Sequence, residues 1–439
     1  MILLYATRTT ARLTYILDVF LEQIAGYQYR FTDQWSEFVE FDGPKINYSK
    51  QHHDSGLWIR AADILFENNL NPTEPTVSIG KYGKVLFPVQ DLESCLDFDP
   101  LAAAFYLLSL YDEYLPHKLD QHGRIQADDT FVVRHGFVHA PFVENWAMTL
   151  QQKILEKYPM LPKKNRQFSF QPTFDIDQAY AFRFKGLKRN ILGGLKDLIA
   201  GRFQEVVMRM AVLAGKQQDP FDNYEYILKI HDKLVHQPLF FILFGEPGPY
   251  DKNLDPRNPE FRKLILKLDC QSHCGIHPSY NTYLDPKLLK EEVSTLSALL
   301  SGPVTKSRQH YLKFKMPETF RNLYEAGIKA DYSLGFASIP GFRAGNSSPF
   351  PFYDLEKDCS TTLMLHPISY MEGTLRDYSD SSPEQAIIVI QNLIHQVKQV
   401  SGTFVSLWHN ESVGEQGRWK GWRKVYEAML VTLLAENKG

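Results

Sequence analysis

The chain has 439 residues and a mass of 50.7 kDa, more than one hydrophobic core usually serves, so we expect two or three domains and exclude a single small module. Hydrophobic residues make up 44% and charged residues 23%, which is the composition of a folded globular protein and excludes a disordered one. The 48 lysines and arginines nearly balance the 51 acidic residues, and a net charge of −3 argues against nucleic acid as a partner.

The cysteines and the apolar runs indicate a cytoplasmic protein. Four cysteines in so long a chain are too few for a disulfide scaffold, so we interpret them as reduced thiols. The first residues lack the charge pattern of a signal peptide. No uncharged apolar run approaches the roughly 20 residues that span a bilayer, so we predict no transmembrane segment.

The first ~150 residues predict a small α+β domain. Its strongest element is a helix over residues 100–114, with Asp99 as the N-cap and a proline at the first helical position. The segment 157–166 has two prolines and a basic run, which is typical of a connection between domains. We therefore predict domains at 1–155 and 165–439.

Strand and helix patterns alternate beyond this connection. The pattern predicts strands at 168–174, 238–244, 269–276, 306–308, 361–365 and 403–408. It predicts a basic helical segment over 182–215 and helices at 286–300, 317–326 and 383–400. This order predicts a parallel α/β sheet or barrel, in which functional groups gather at the carboxyl ends of the strands.

Two carboxylates close the first of these strands. Asp175 and Asp177 are two residues apart, so on a strand they project to the same face. Two like charges at so short a distance repel each other unless a cation or an arginine lies between them. The pair therefore indicates metal binding combined with base chemistry. The alternative is a helix N-cap next to a solvated acid.

A histidine follows the third predicted strand. Pro278 turns the chain directly after His277, so Asn281, four residues on, can converge with His277 on one ion. His273 has the same spacing, but along a strand this separates the two rings by ~13 Å, too far for one metal. The alternative for His277 is a structural histidine.

Further polar residues lie at other strand ends. Arg308 and His310 follow the short fourth strand, and Arg343 lies between glycines that permit close backbone approach. Either arginine can hold a carboxylate bidentately, with an ordinary surface ion pair as the alternative. His409 ends the last strand, where the alternative is a histidine hydrogen-bonded in the core.

In sequence order these pieces resemble the polysaccharide deacetylases, the NodB-homology enzymes of carbohydrate esterase family 4. Residues 173–177 (TFDID) are similar to the family's TFDDG motif, with the metal-binding aspartate displaced by one position. Residues 277–281 (HPSYN) match the first half of its histidine motif, with asparagine in place of the second histidine. Residues 308–311 (RQHY) resemble its arginine loop without two prolines, and 407–409 (LWH) resemble its final motif. Its fourth motif has a loose counterpart near residue 331 or 343.

The whole chain resembles a bacterial group that joins an N-terminal domain of unknown function to such a barrel. The phrases FDPLAAAFYLLSLYDEY, DQHGR, IHPSYN, GFRAG, MEGTL and LWHN carry this likeness. It implies a distorted (β/α) barrel of fewer than eight strands, preceded by a smaller α+β domain. It also implies a divalent-metal amidase site at the carboxyl end of the barrel.

The resemblance implies removal of an N-acetyl group from an amino sugar or glycan by a metal-dependent hydrolase. The expected ligands of a divalent ion, zinc by preference, are Asp177 and His277, with Asn281 or a water as the third. Asp175 is expected to act as the general base and His409 as the acid that protonates the leaving nitrogen.

Four further residues complete the expected site. Arg308 is expected to orient the base, and substrate binding is assigned to Tyr311, His310 and Arg343.

Two other functions stay open from the sequence. A barrel without the second motif histidine can be catalytically degenerate and act as a glycan-binding or scaffold protein. Hydrolysis of a small non-sugar amide is chemically equivalent to deacetylation. The basic segment 182–215 can cover the mouth of the site, touch a membrane face, or form a packed helix with one solvated side. The sequence names neither the sugar nor the oligomeric state.

Overall fold

The computed structural model describes residues 1–53, 55–232, 234, 237–300 and 302–435. Its N-terminal part contains two small sheets. Four parallel strands form the first, in the order β2-β1-β3-β4, and an antiparallel hairpin of β5 and β6 forms the second. The strands are β1 (Ile2–Tyr5), β2 (Tyr29–Thr32), β3 (Lys45–Ser49), β4 (Leu57–Arg60), β5 (Val77–Gly80) and β6 (Gly83–Leu86).

Five α-helices accompany these strands: α1 (Ala11–Ile16), α2 (Trp35–Glu40), α3 (Pro100–Leu108), α4 (Phe131–Arg134) and α5 (Phe142–Lys157). The Asp99 carboxylate accepts the first backbone N–H groups of α3, from Leu101 at 3.0 Å, so the predicted N-cap is confirmed. The predicted helix over 100–114 is interrupted, because Leu110 has a left-handed backbone with φ of 54°. A separate turn at Tyr111–Tyr114 follows.

The larger sheet has nine strands in the order β12-β13-β11-β10-β9-β8-β7-β15-β14. They are β7 (Ser169–Ile176), β8 (Leu239–Leu243), β9 (His273–His277), β10 (Lys306–Ser307), β11 (Ala330–Asp331), β12 (Phe350–Asp354), β13 (Cys359–Leu365), β14 (Tyr370–Met371) and β15 (Thr403–His409). All neighbours pair in parallel except β12 with β13. Strand β8 (LFFIL) is buried throughout, as expected of a parallel strand covered on both faces.

Helices alternate with these strands: α6 (Gly186–Ile199), α7 (Phe203–Leu213), α8 (Tyr224–His231), α9 (Pro259–Gln271), α10 (Pro286–Leu300), α11 (Glu318–Glu325), α12 (Pro383–Gln399) and α13 (Trp422–Leu434). The prediction of a strand over 269–276 was wrong in its first half, since residues 269–271 end helix α9 and β9 begins at His273. The predicted helical segment 182–215 is two helices, separated at Gly201 with φ of 70°.

The sheet curves into a distorted barrel. Apolar side chains from opposite parts of the sheet, among them Phe241, Tyr332 and Val405, pack into one interior cluster. The backbone N–H of Ile368 donates to Leu334 O at 2.9 Å, and that of the next residue donates to Val405 O, so the segment before β14 connects the two sides. The predicted α/β barrel is thereby confirmed. In the described part of the chain eight strands are mutually parallel, where fewer than eight were expected, and three of them, β10, β11 and β14, have only two residues.

The N-terminal part packs against the barrel through one continuous apolar cluster that contains residues of both. Two buried ion-pair partners, Arg343 and Glu113, join them, with Nε–Oε1 at 2.7 Å and Nη2–Oε2 at 2.8 Å. Arg343 thus bonds to the N-terminal part and is not among the described residues that line the strand-end cavity, while its assignment to substrate binding stays a prediction. The division into domains at 1–155 and 165–439 stays a prediction.

Candidate metal centre and active site

The carboxyl ends of three strands of the larger sheet, β7, β9 and β15, meet at one cavity of about 280 Å³. Asp175 lies near the end of β7 and Asp177 just beyond it, while His277 and His409 are the last residues of β9 and β15. His409 is in register with Asp175 across the β15–β7 pair. The strand ends therefore bring together side chains that are up to 234 residues apart in the sequence.

Asp177 is the centre of this cluster. Its Oδ1 lies 3.2 Å from His277 Nε2, and its Oδ2 lies 3.5 Å from His310 Nε2 and 3.6 Å from His409 Nε2. One ligand atom each from Asp177, His277 and His310 can be chosen so that all lie within 4.8 Å of one another. Burial raises the pKa of Asp177, but the surrounding histidines outweigh burial and hold it well below its usual value.

The two histidines nearest Asp177 have their other ring nitrogens fixed. His277 Nδ1 donates to the backbone carbonyl of Arg308 at 2.5 Å, and His310 Nδ1 donates to Asp251 Oδ1 at 2.9 Å. Each ring therefore presents an unprotonated Nε2 when it is neutral, the arrangement by which metal-binding histidines are usually oriented. Burial lowers the pKa of His310, yet the carboxylates of Asp177 and Asp251 raise it to about 9.

These residues fit a divalent cation. Asp177 Oδ1 is buried and makes no hydrogen bond to any described residue, although it faces His277 Nε2. Two imidazole nitrogens and a carboxylate oxygen form the donor set of many catalytic zinc sites, which keep a fourth position open. A cation would also compensate the negative charge that raises the pKa of His310.

Asp175 is held by a buried arginine. Arg308 Nη1 donates to Asp175 Oδ1 at 2.8 Å, and Arg308 Nε donates to the carbonyl of Tyr332 at 2.9 Å. The guanidinium also lies 4.5 Å from the centre of the Phe241 ring. The second oxygen, Asp175 Oδ2, is 3.6 Å from His277 Nε2. Arg308 thus fixes one carboxylate oxygen and leaves the other directed at the cluster.

His409 is held by Glu372, which is fully buried. The ring Nδ1 lies 2.7 Å from Glu372 Oε1, and the backbone N–H of His409 donates to the same oxygen at 2.9 Å. Burial disfavours the charged ring, but the Glu372 carboxylate outweighs burial and holds the pKa of His409 well above its usual value. The ring can therefore carry a proton at Nε2 on the cavity side.

The loop that carries His310 is held from the N-terminal part. Tyr311 and Leu312 both have left-handed backbones, with φ of 62° and 51°, which is unfavourable for side chains with a Cβ. Arg124 Nη1 donates to the carbonyl of Tyr311 at 2.8 Å, and Arg124 Nε donates to Asp120 Oδ2 at 2.7 Å. Arg124 also lines the cavity, so the N-terminal part supplies one of its walls.

The structure places most, but not all, of the predicted residues at this site. Asp175, Asp177, His277, His310, Tyr311 and His409 line the cavity, and Arg308 contacts it through Asp175. Asn281 is exposed at the start of the single turn Thr282–Leu284 and is not among the described lining residues. His310, and not Asn281, supplies the third side chain of the cluster with Asp177 and His277.

Sequence reasoning missed Asp251, Glu372 and Arg124. None of them follows a predicted strand, and each acts through a neighbour whose position is set by the fold. Arg124 and Glu372 do lie in the phrases DQHGR and MEGTL, which resemble the bacterial group described above. That resemblance was the only feature of the sequence that could have indicated them.

Comparisons with known proteins found one sequence family and several similar solved structures. Residues 2–159 match a family of unknown function, DUF7033. No curated protein matches the sequence. The barrel is similar in structure to polysaccharide deacetylases. A structure described as a polysaccharide deacetylase from Mycobacterium smegmatis is 17% identical in sequence and has a TM-score of 0.40. The match covers 62% of this chain and 86% of that one.

Two further solved structures are similar over the same part. A polysaccharide deacetylase from Bacillus cereus is 13% identical with a TM-score of 0.30, over 61% of this chain and 87% of that one. The PuuE allantoinase is 10% identical with a TM-score of 0.38, over 61% of this chain and 85% of that one.

Proposed function

We propose that this protein is a metal-dependent hydrolase that removes an N-acetyl group from an amino sugar or glycan. The observation that carries the proposal is the cluster of Asp177, His277 and His310 within 4.8 Å, next to an arginine-bound carboxylate and a carboxylate-bound histidine. This combination provides a cation site, a base and an acid around one cavity.

Asp177, His277 and His310 would hold the divalent ion, which we propose to be zinc because two of the three donors are imidazoles. When bound, such an ion supplies Lewis acidity and a lowered pKa for water. The protein's own contribution is to fix the three donors, through Arg308 O on one histidine and Asp251 on the other.

Asp175 is the proposed general base. Its Oδ2 points into the cluster while Oδ1 is occupied by Arg308, so a water between Asp175 and the substrate carbonyl would lose its proton to Oδ2. Arg308 orients this carboxylate. Because Arg308 is fully buried, it acts on the substrate through Asp175 and does not touch it.

His409 is the proposed general acid. Protonated at Nε2, it would give this proton to the leaving nitrogen while Glu372 stabilises the imidazolium through Nδ1. The side chain of His409 is 22% exposed, so the proton is accessible from the cavity. The proposed acid and base therefore adjoin the same cluster, since His409 Nε2 lies 3.6 Å from Asp177 Oδ2 and Asp175 Oδ2 lies 3.6 Å from His277 Nε2.

The cavity walls favour a small ring-shaped substrate. Aromatic side chains of Tyr311, Tyr378 and Trp419 surround the polar cluster, and rings of this kind bind the apolar faces of sugars. The volume of about 280 Å³ lies at the lower end of ligand cavities, which suits one sugar unit at the reacting position.

Elemental analysis together with a hydrolysis assay tests this function. We expect one divalent ion per chain and release of amine from N-acetylglucosamine oligosaccharides, both abolished by a chelator and restored by zinc. A small acylated non-sugar amide in the same assay separates the two substrate classes. A folded protein that binds no divalent ion at micromolar concentration would contradict the proposal and favour a glycan-binding or scaffold role.

A further inference from the structure

The hairpin of helices α6 and α7 has its apolar residues on the outside. Ten large apolar side chains between Leu187 and Leu213 are exposed, including Ile199 at 87% and Val207 at 68%. An amphipathic helix in water normally turns its apolar face to the core, and contiguous exposed apolar surface marks an interaction site. The side chains that are buried in α6 are instead Asn190 and Asp197.

Polar contacts join the two helices. Arg209 Nη2 lies 2.7 Å from Asp197 Oδ2, and Arg209 Nη1 donates to Asn190 Oδ1 at 3.1 Å. Gly193 makes room for this arginine, because a Cβ there would lie 2.9 Å from Arg209 Nη2. A hairpin with a hydrogen-bonded polar interior and an apolar exterior is suited to an apolar surrounding.

The charge of the hairpin is strongly positive. Residues 183–216 contain eight lysines and arginines and two acidic residues, a net charge of +6 in a chain whose total is −3. Five of the basic residues are exposed: Lys188, Arg189, Lys196, Arg202 and Lys216. Asp197 is buried and Glu205 is half-buried, so the exposed charge is almost purely basic. Such a surface attracts anionic lipid and repels a second copy of itself.

The helices are too short to cross a bilayer. The 14 residues of α6 and the 11 residues of α7 extend about 21 Å and 17 Å, against a hydrocarbon thickness of about 30 Å. Across the described part of the chain, no helix combines the length and apolarity of a membrane span. An apolar and basic hairpin of this length fits the headgroup region of one leaflet.

We propose that the hairpin of α6 and α7 binds the surface of an anionic lipid bilayer, with the exposed apolar side chains inserted between headgroups. The end of the hairpin at which α6 begins adjoins the cavity. Lys185 Nζ donates to Gln178 Oε1 at 2.7 Å, and Gln178 lines the cavity next to Asp177. Binding would hold the mouth of the site close to the membrane surface. This surface does not depend on the proposed reaction.

Co-sedimentation of the purified full chain with vesicles tests the proposal. We expect binding to phosphatidylcholine vesicles that contain about one third phosphatidylglycerol, weaker binding at high salt, and little binding to phosphatidylcholine alone. The double substitution Ile199→Ser with Phe203→Ser, at the tip of the hairpin, should weaken binding at least about tenfold. The double substitution Lys188→Gln with Lys196→Gln should weaken binding to the anionic vesicles by a similar factor and should not change binding to phosphatidylcholine vesicles.

The matched control replaces exposed apolar residues elsewhere. Leu92→Ser with Met160→Ser, at positions 97% and 91% exposed, should leave vesicle binding unchanged. Equal binding by the wild type and the Ile199/Phe203 variant, or no binding to anionic vesicles, would overturn the proposal. A dimer in sedimentation velocity that the Ile199/Phe203 substitutions dissociate would also overturn it, in favour of a second copy. Binding needs no metal or substrate, so an inactive protein leaves this test intact.

Discussion

Glu372 Oε1 accepts two hydrogen bonds from one residue, from the Nδ1 of His409 at 2.7 Å and from its backbone N–H at 2.9 Å. The pair fixes the ring against rotation and leaves Nε2 facing Asp177 at 3.6 Å. Glu372 is fully buried, so its charge acts on the imidazole with little screening. This geometry favours a protonated ring, as a general acid requires.

His409→Ala should therefore slow hydrolysis of an N-acetylated sugar by about 10²- to 10⁴-fold, the usual contribution of a positioned proton donor. Metal content and melting temperature should change little, because Asp177, His277 and His310 remain. An amide with an activated leaving group, whose amine departs without protonation, should be far less sensitive. Parallel turnover and melting measurements on both substrates check this.

Equal rate losses on both substrates would remove His409 from the role of acid. A rate loss matched by destabilisation of about 1–3 kcal/mol would show a histidine whose hydrogen bonds are structural.

The third protein ligand can be identified by a matched pair of substitutions. His310→Ala removes a ring whose Nε2 lies 3.5 Å from Asp177 Oδ2 and should reduce zinc affinity at least about tenfold, measured by calorimetry on the metal-free protein. Asn281→Ala changes an exposed side chain outside the cavity and should leave affinity unchanged. The reverse pattern would restore the assignment made from the histidine motif.

The strand-end residues were predictable because each depends on local sequence. Apolar strand patterns directly precede or contain four of them, Asp175, Asp177, His277 and His409. In a parallel sheet the carboxyl ends of all strands lie at the same edge, whatever the order of the strands. Their convergence could therefore be predicted from the alternation of strands and helices, without knowing the conformations of the loops. The exposed position of Asn281 could not be predicted, because a short sequence spacing says nothing about which side of a turn a side chain occupies.

The remaining contacts depend on tertiary structure. His310 lies near Asp177 in a loop whose next two residues are left-handed, a conformation that no residue type in that loop signals. Arg343 pairs with Glu113, 230 residues away. In the hairpin of α6 and α7 the basic amphipathic pattern was visible, but the pattern alone does not show which face packs inward.

Arg124 should support the metal centre from the N-terminal part. Removing its hydrogen bond to Tyr311 O frees the left-handed loop to relax and to move His310, so Arg124→Ala should lower zinc affinity about tenfold. Arg124→Lys should not restore it fully, because an ammonium cannot bond Tyr311 O and Asp120 in the same fork. Calorimetry on the metal-free variants measures this.

The control for Arg124 is Arg30→Ala, an exposed arginine of the N-terminal part that pairs with Glu37. It should leave both affinity and turnover unchanged. Wild-type zinc affinity in Arg124→Ala, with the fold intact, would show that the loop holds its conformation without the arginine.

Glu292 makes the stability of the site region depend on pH. Its carboxylate accepts hydrogen bonds from the backbone N–H of Ser279 at 2.9 Å and from the Ser279 hydroxyl, two residues beyond His277. Burial raises the pKa of Glu292 to about 7, although these hydrogen bonds act in the opposite direction. An unfolded glutamate has a pKa near about 4.3, so the folded state binds more protons between about pH 4.3 and 7.

The free energy of unfolding should therefore fall as pH rises through this window, by up to about 4 kcal/mol from this group. Glu292→Gln keeps the shape and both contacts, because its oxygen can accept from the Ser279 N–H and its amide can donate to the hydroxyl, but it cannot ionise. The free energy of unfolding of the variant, measured with urea, should match that of the wild type near pH 4 and exceed it at pH 8.

Glu291→Gln, at the neighbouring exposed position, controls for the general effect of removing a charge and should leave the pH slope unchanged. Parallel slopes for wild type and Glu292→Gln would mean that this carboxyl titrates alike in the folded and unfolded chain.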